Sequence, residues 1–155
     1  MKFSGVRPKK RLGQNFLVNA AAAQQIARLC QSDGGADVRT LEIGAGTGIL
    51  TAALLEQGAH LTAIEIDREL VGLLRSRPEL ANADIVAADA LTFDYAAWAG
   101  SQRWIVAGNL PYNIATPLIL RLIDLPHGPQ SLTVMVQRDV ADRFAAAPGT
   151  AAYGS

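Results

Sequence analysis

Four consecutive residues, Asn109 to Tyr112, carry the groups that could bind a flat ligand with an amine. They follow the short apolar run Trp104–Ala107, which predicts a buried strand, and an apolar helical pattern comes after them. Asn109 provides a side-chain amide and Tyr112 an aromatic face. Between them, Pro111 fixes its own φ and restricts Leu110. The sequence therefore predicts a ligand-binding site at the turn that connects this strand to the following helix.

A glycine loop, Gly44-Ala45-Gly46-Thr47-Gly48, closes the first predicted strand. Glycines let the backbone approach a ligand where a Cβ would collide, and the helix that follows presents unpaired N–H groups. We therefore predict that Gly44 and Gly46 contact a cofactor. A dinucleotide fingerprint would place its third glycine at position 49, which is Ile49, so a nicotinamide dehydrogenase is disfavoured.

Carboxylates stand at the ends of the next two predicted strands. Glu65, before Ile66, lies about twenty residues beyond the glycine loop, where an acid can accept from both ribose hydroxyls of a cofactor. Asp89 could accept from the exocyclic amine of adenine, with Ala88 and Ala90 flanking the ring. No basic residue accompanies them to bind phosphate. This combination favours S-adenosylmethionine, a cationic nucleoside, over a dinucleotide.

Methyl transfer to an adenine amine is the chemistry that these residues predict. The amine is a poor nucleophile because its lone pair is conjugated into the ring. The Asn109 side-chain oxygen and the Leu110 carbonyl would accept its hydrogens and favour a geometry that exposes the lone pair. Tyr112 would stack on a base taken out of its helix. A sulfonium methyl is already activated, so alignment suffices and no metal is expected.

The strands that position these residues alternate with helices along the chain. Their apolar runs are continuous, which indicates a parallel sheet covered on both faces, and ligands of such doubly wound sheets bind at the carboxyl ends of the strands. A helix is predicted to begin at Thr116-Pro117, a good N-cap and N1 pair. Asn19 and Asp67 are predicted to cap two earlier helices. The predicted strands are Thr40–Ile43, Leu61–Ile66, Ile85–Ala88, Trp104–Ala107 and Leu132–Val136.

Composition indicates one globular domain of 155 residues, of which half are hydrophobic and 18% charged. No apolar run reaches the ~18 residues of a membrane span, and the N-terminus lacks a signal-peptide core, so we expect no membrane partner. Cys30 is the single cysteine and is predicted to be buried. A lone cysteine is typical of a reducing compartment, so a cytoplasmic protein is expected, and we expect a monomer.

The first eleven residues form a basic arm. No acidic residue precedes Asp33, whereas five of the six basic residues before it lie within this arm. Composition alone is compatible both with a solvated tail and with an arm that contacts nucleic-acid phosphates.

These motifs together resemble the ribosomal RNA adenine N6,N6-dimethyltransferases, most closely the small-subunit branch of that family. The resemblance covers essentially the whole chain and is carried by six stretches: 10–17, 41–51, 64–67, 89–93, 109–113 and 137–144. It implies a Rossmann-like class I S-adenosylmethionine-dependent methyltransferase fold, with a doubly wound, mostly parallel sheet. The implied substrate is a pair of adjacent adenosines in a 3′-terminal hairpin of small-subunit ribosomal RNA.

The resemblance also implies roles for individual residues. The segment from Gln14 to Leu17 would fold over the cofactor, and the basic arm would contact RNA. The cofactor site would comprise Gln14, Asn15, Leu17, Gly44, Gly46, Glu65, Ile66, Asp89, Ala90 and Asn109. The catalytic residues would be Asn109, Leu110, Pro111 and Tyr112. Candidate RNA contacts are Lys9, Lys10, Arg11 and Arg138.

The resemblance departs from the family pattern at the end of the chain. Family members continue into further strands and a small helical domain, whereas this sequence ends at Ser155. Residues 1–155 are thus expected to form a C-terminally truncated methyltransferase domain, with the arm at about residues 1–18. We expect this chain alone to methylate weakly or not at all.

Two alternatives remain open. The first is a large-subunit ribosomal RNA adenine dimethyltransferase of the macrolide-resistance type, which shares the glycine loop and the asparagine tetrapeptide. The second is a non-catalytic RNA-binding assembly or transcription factor of the same fold. The presence of Asn109, Tyr112, Glu65 and Asp89 together disfavours this second reading, because a decayed site should have lost some of them.

Overall fold

A computed structural model of the chain describes residues 16–34 and 37–150. Its centre is a parallel sheet of five strands in the order β3-β2-β1-β4-β5. The strands are β1 Arg39–Ile43, β2 His60–Glu65, β3 Asp84–Ala87, β4 Trp104–Asn109 and β5 Leu132–Met135. The predicted strands are all present, and most of their ends differ from the prediction by one residue.

The helices are α1 Ala20–Gly34, α2 Ile49–Glu56, α3 Arg68–Arg75, α4 Tyr95–Ala99, α5 Tyr112–Ile123 and α6 Arg138–Ala145. They cover both faces of the sheet. Consecutive residues of β4 show this, because Ile105 and Ala107 pack in a core with α1 and α2 while Val106 packs in a core with α4 and α5. Both faces are thus buried, as the continuous apolar runs predicted.

The order of the strands sets the position of the ligand-binding edge. The chain extends the sheet from β1 through β2 to β3, then returns to add β4 on the other side of β1. Such a switch point leaves a crevice at the carboxyl ends of β1 and β4. Register places Ile43 beside Gly108 there, so the glycine loop and Asn109 come from neighbouring strands.

Two predicted helix caps and the predicted burial of Cys30 are confirmed. The Asn19 side chain accepts a hydrogen bond from the Ala22 amide at 3.1 Å, and Asp67 accepts from the Glu69 amide at 3.1 Å, so both residues cap helices. Cys30 is buried on α1. No helix within residues 16–34 and 37–150 is long and apolar enough to cross a membrane.

The predicted start of α5 is wrong. This helix begins at Tyr112, and Pro117 lies inside it. The amide of Ala115 bonds to the Pro111 carbonyl at 3.0 Å, and Ala115 itself is fully buried. A proline inside a helix costs about 3 kcal/mol. Here the burial of a whole apolar face from the first turn onward offsets that cost. The helix α4, capped by Asp94, was not predicted at all.

Candidate functional site

A cavity of about 260 Å³ lies at the carboxyl ends of the strands. The residues around it come from the glycine loop, the ends of β2 and β4, and the segment after β3. Predicted site residues that line the cavity are Leu17, Gly44, Gly46, Glu65, Ile66, Asp89, Ala90, Asn109 and Pro111. The structure therefore brings these residues to one place, and their individual roles in binding stay predictions.

Three predicted site residues lie apart from the cavity wall. The Leu110 side chain is buried in the hydrophobic core, and its amide donates to the Met135 carbonyl at 2.9 Å. Tyr112 is half-exposed as the first residue of α5, and Arg138 is exposed as the first residue of α6. The remaining predictions fall outside the described residues: Lys9, Lys10, Arg11, Gln14 and Asn15.

The glycine loop has a backbone that favours glycine. Gly44, Gly46 and Gly48 have φ values of 76°, 57° and 80°, in the left-handed region. A Cβ on Gly48 would also lie 2.7 Å from a methyl carbon of Leu74. The third glycine therefore serves the packing of the loop on α3, whereas Gly44 and Gly46 line the cavity. The Phe16 ring lies against Gly46, so the segment before α1 meets the loop.

Glu65 joins the glycine loop to the next helix. One carboxylate oxygen accepts from the Gly46 amide and the other from the Asp67 amide, each at 2.9 Å. The side chain is 5% exposed and faces the cavity. A carboxylate oxygen can accept more than one hydrogen bond, so Glu65 can also accept from ligand hydroxyls. It therefore both shapes the loop and presents a charge to a ligand.

Asn109 is brought beside the glycine loop by a close approach of two strands. A Cβ on the preceding Gly108 would lie 2.9 Å from the Ile43 carbonyl oxygen, so glycine permits this approach. The Asn109 carbonyl oxygen lies 3.9 Å from the position of a Cβ on Gly44. Pro111 then turns the chain with φ −61° and ψ 141° and starts α5. Asn109 and the glycine loop thus form one wall of the cavity together.

Glu42 is a cavity residue to which the sequence analysis assigned no role. It is 1% exposed, and neither carboxylate oxygen has a hydrogen-bond partner among the described residues. The pKa of Glu42 is raised to about 7, chiefly by burial; nearby Thr51 offsets part of the rise, and the Glu65 charge adds to it. Its place in the Glu42-Ile43-Gly44 stretch, at the end of β1, was the available signal. A buried carboxylate without a partner indicates a site that suits a cation.

We expect Glu42 to make the stability of the chain depend on pH. Its pKa rises from 4.5 in the unfolded chain to about 7 in the folded one, so folding takes up a proton between these values. The free energy of unfolding should therefore fall as pH rises through this window, by about 3 kcal/mol, and stay low above it. Glu42→Gln should flatten this dependence and raise Tm at pH 8, as measured by thermal melts from pH 5 to 8.

The exposed Glu56 offers a matched control for that experiment. Its carboxylate accepts from Gln24 at the surface, so Glu56→Gln removes the same charge without relieving a buried one. The Glu56 variant should melt like the unmodified chain at every pH. Equal pH dependence in the Glu42 variant and the unmodified chain would show that Glu42 is not the group that titrates.

The charges around the cavity define the ligand that fits. Glu42, Glu65 and Asp89 line it, and no lysine, arginine or histidine does so within the described part of the chain. Such a site repels phosphates and attracts cations. S-adenosylmethionine has a sulfonium, an ammonium group and a nucleoside, so these residues fit it. In residues 16–34 and 37–150, no cluster of His, Cys, Asp and Glu side chains is placed to hold a metal ion.

Comparison with curated proteins finds relatives named ribosomal RNA small subunit methyltransferase A. The chain is 42% identical over 160 residues to ribosomal RNA small subunit methyltransferase A of Geobacter metallireducens, covering 99% of this chain and 57% of the relative. It is 44% identical over 151 residues to the protein of the same name in Phenylobacterium zucineum, covering 97% and 52%. The chain thus spans about half the length of the curated relatives it matches.

Solved structures show the same architecture. A dimethyladenosine transferase from Plasmodium falciparum matches with a TM-score of 0.73 and 26% identity over 90% of this chain and 49% of that one. The 23S rRNA methyltransferase ErmE matches with a TM-score of 0.71 and 27% identity over 83% of this chain and 50% of that one. The doubly wound sheet is therefore the Rossmann-like class I methyltransferase fold that the sequence predicted.

A family model also matches nearly the whole chain. The model described as ribosomal RNA adenine dimethylase covers residues 5–155, a range that contains the glycine loop, Glu65, Asp89 and the Asn109–Tyr112 stretch. Because the match extends over nearly the whole chain, this protein belongs to the ribosomal RNA adenine dimethylase family.

Proposed function

We propose that this protein transfers methyl groups from S-adenosylmethionine to N6 of two adjacent adenosines in a 3′-terminal hairpin of small-subunit ribosomal RNA. The products are N6,N6-dimethyladenosines, made during ribosome assembly in the cytoplasm. One observation carries the proposal: Asn109 and Pro111 line the same cavity as Glu42, Glu65 and Asp89. A methyl-acceptor site thus adjoins a site that suits a cationic nucleoside.

The cofactor side of the cavity follows from the placement of its carboxylates. Glu65 would accept from the ribose hydroxyls, and Asp89 would accept from the exocyclic amine of adenine. Glu42, buried beside the glycine loop with a pKa raised to about 7, would be ionised by the cationic end of the molecule, which favours the charged form of the carboxylate. When bound there, S-adenosylmethionine supplies an activated methyl group on sulfur.

The acceptor side is the wall formed by the end of β4. The Asn109 side-chain oxygen and the Leu110 carbonyl would accept the two hydrogens of the adenine amine. As the amine attacks, positive charge develops on its nitrogen, and these acceptors bind the hydrogens more strongly. Tyr112, half-exposed as the first residue of α5, would stack on the extruded base. One proton leaves the nitrogen for each methyl group that it gains.

RNA affinity would come from phosphate contacts outside the cavity. Arg138 is exposed at the start of α6, and Lys9, Lys10 and Arg11 belong to the basic arm. Such contacts make affinity strongly dependent on salt without reading sequence. The choice of the small subunit rests on relatives at 42% and 44% identity that are named small-subunit methyltransferases.

Radiolabelled methyl transfer to purified small and large ribosomal subunits tests the proposal. We expect label at N6 of adenosines in small-subunit RNA, at a low rate for this chain alone. Label confined to large-subunit RNA would instead favour the activity named for ErmE, which matches with a TM-score of 0.71. No label on either subunit, with S-adenosylmethionine bound in calorimetry, would show that this chain alone does not transfer methyl groups.

A further inference from the structure

Arg121 contacts the segment that follows β3 from a distant part of the chain. It lies in the last turn of α5, and its guanidinium donates to three backbone carbonyls of that segment, those of Ala90, Leu91 and Phe93. The Phe93 contact measures 3.0 Å. A rigid fork of donors is suited to hold several carbonyls in one arrangement. One side chain thus accounts for most of the carbonyls of residues 90–93.

The backbone amides of the same segment donate hydrogen bonds to Asp89. Its side-chain Oδ1 accepts from the Leu91 amide at 2.9 Å, and its carbonyl accepts from the amides of Thr92 and Phe93 at 3.1 and 2.9 Å. Residues 89–93 therefore form a turn that Asp89 holds from one side and Arg121 from the other. The orientation of the Asp89 carboxylate depends on this turn.

Tyr95 contacts both the turn and the Arg121 guanidinium from the side of the hydrophobic core. Its hydroxyl donates to the Ala90 carbonyl at 2.7 Å, and its ring lies 5.2 Å from the Arg121 guanidinium carbon. Tyr95 is 1% exposed and stacks on Trp104 of β4. The guanidinium thus packs against an aromatic ring that belongs to the core, and this contact fixes its position.

We infer that Arg121 is a positioning residue that sets the selectivity of the site for adenine. This inference rests on the proposed function, in which Asp89 accepts from the adenine amine. Arg121 touches no ligand in this scheme. It holds the turn so that the Asp89 carboxylate meets an amine, and so that Ala90 and Leu91 keep their places in the cavity wall.

The test compares two ligands whose bases differ in the group at C6, and consequently in whether N1 carries a hydrogen. S-adenosylhomocysteine has an exocyclic amine, whereas S-inosylhomocysteine has a carbonyl oxygen there, which would face the carboxylate. The unmodified chain should bind the first more tightly in calorimetry. Arg121→Ala should reduce the ratio of the two affinities about tenfold, the size of effect expected when hydrogen bonds from a charged group are lost. Arg121→Lys should reduce the ratio less than Arg121→Ala does, because an ammonium group can still donate to some of the three carbonyls, although it cannot reach all of them.

Arg75, in the last turn of α3, offers a matched control. It donates twice to the Ile85 carbonyl, at 3.1 and 2.6 Å, near the opposite end of β3 from the cavity. Arg75→Ala should lower Tm and leave the affinity ratio unchanged. A ratio that is unchanged in both Arg121 variants, or reduced equally in Arg75→Ala, would overturn the role of Arg121 alone. Equal affinity of the unmodified chain for the two ligands would overturn the Asp89 assignment, and this inference with it.

Discussion

Asn109→Ala is expected to lower the rate of methyl transfer about 100-fold or more, since misalignment of reacting groups by 1 Å can have an effect of that size. The variant loses the side-chain oxygen that accepts from the amine, at a position between the glycine loop and α5. RNA affinity should hardly change, because phosphate contacts rather than this amide carry it. Single-turnover transfer of labelled methyl groups, with RNA binding measured in parallel, checks both statements.

Asn82→Ala is the matched control for this change. Asn82 is exposed in the turn before β3, far from the carboxyl ends of the strands, so its loss should leave transfer and RNA binding as they were. Transfer by the Asn109 variant at the unmodified rate would remove Asn109 from the mechanism. A parallel loss of RNA affinity would instead assign it to substrate binding.

Glu65→Gln is expected to weaken the binding of S-adenosylmethionine about 100-fold. Glutamine has one oxygen, and Glu65 uses two, one for the Gly46 amide and one for the Asp67 amide. The NH2 group of glutamine would therefore face a backbone N–H, that of Gly46 or that of Asp67, and both groups are donors. Hydrogen bonds to a charged group contribute about 1.5–3 kcal/mol each, so the loss of one, with the glycine loop displaced, gives this magnitude.

Calorimetry with S-adenosylmethionine measures the effect, and Glu69→Gln serves as its control. Glu69 lies on the exposed side of α3, so removing its charge tests whether net charge alone attracts the cationic ligand. We expect Glu69→Gln to bind like the unmodified chain. Equal affinity of the Glu65 variant and the unmodified chain would exclude Glu65 from both loop shaping and ligand binding.

Local patterns were enough to predict the sheet and the motifs that meet at the cavity. Continuous apolar runs identify strands that are buried on both faces, and these runs predicted all five strands of the sheet. Parallel strands must end at one edge, so residues that follow them in sequence meet in space. The convergence of Gly44, Glu65, Asp89 and Asn109 on one cavity follows from that rule.

The predicted start of α5 was wrong because tertiary packing opposed a strong local helix-start signal. Thr116-Pro117 is a good N-cap and N1 pair, yet the N-cap of α5 is Pro111, five residues earlier, because Ala115 and the residues that follow bury an apolar face. Ile123, the apolar last residue of α5, is 60% exposed although the adjacent Leu122 is fully buried. The free energy of burying a helix face depends on neighbours that the local pattern does not contain.

The sequence by itself determined the fold class, the family and the motif residues, because these depend on periodicity and on residue type at short spacing. Only the tertiary structure revealed how those residues are held. It showed that Glu65 joins Gly46 to Asp67, that Glu42 is buried without a described partner, and that Arg121 contacts a turn about thirty residues away. Hydrogen bonds and desolvation act between atoms that are close in space, and spacing along the chain does not specify them.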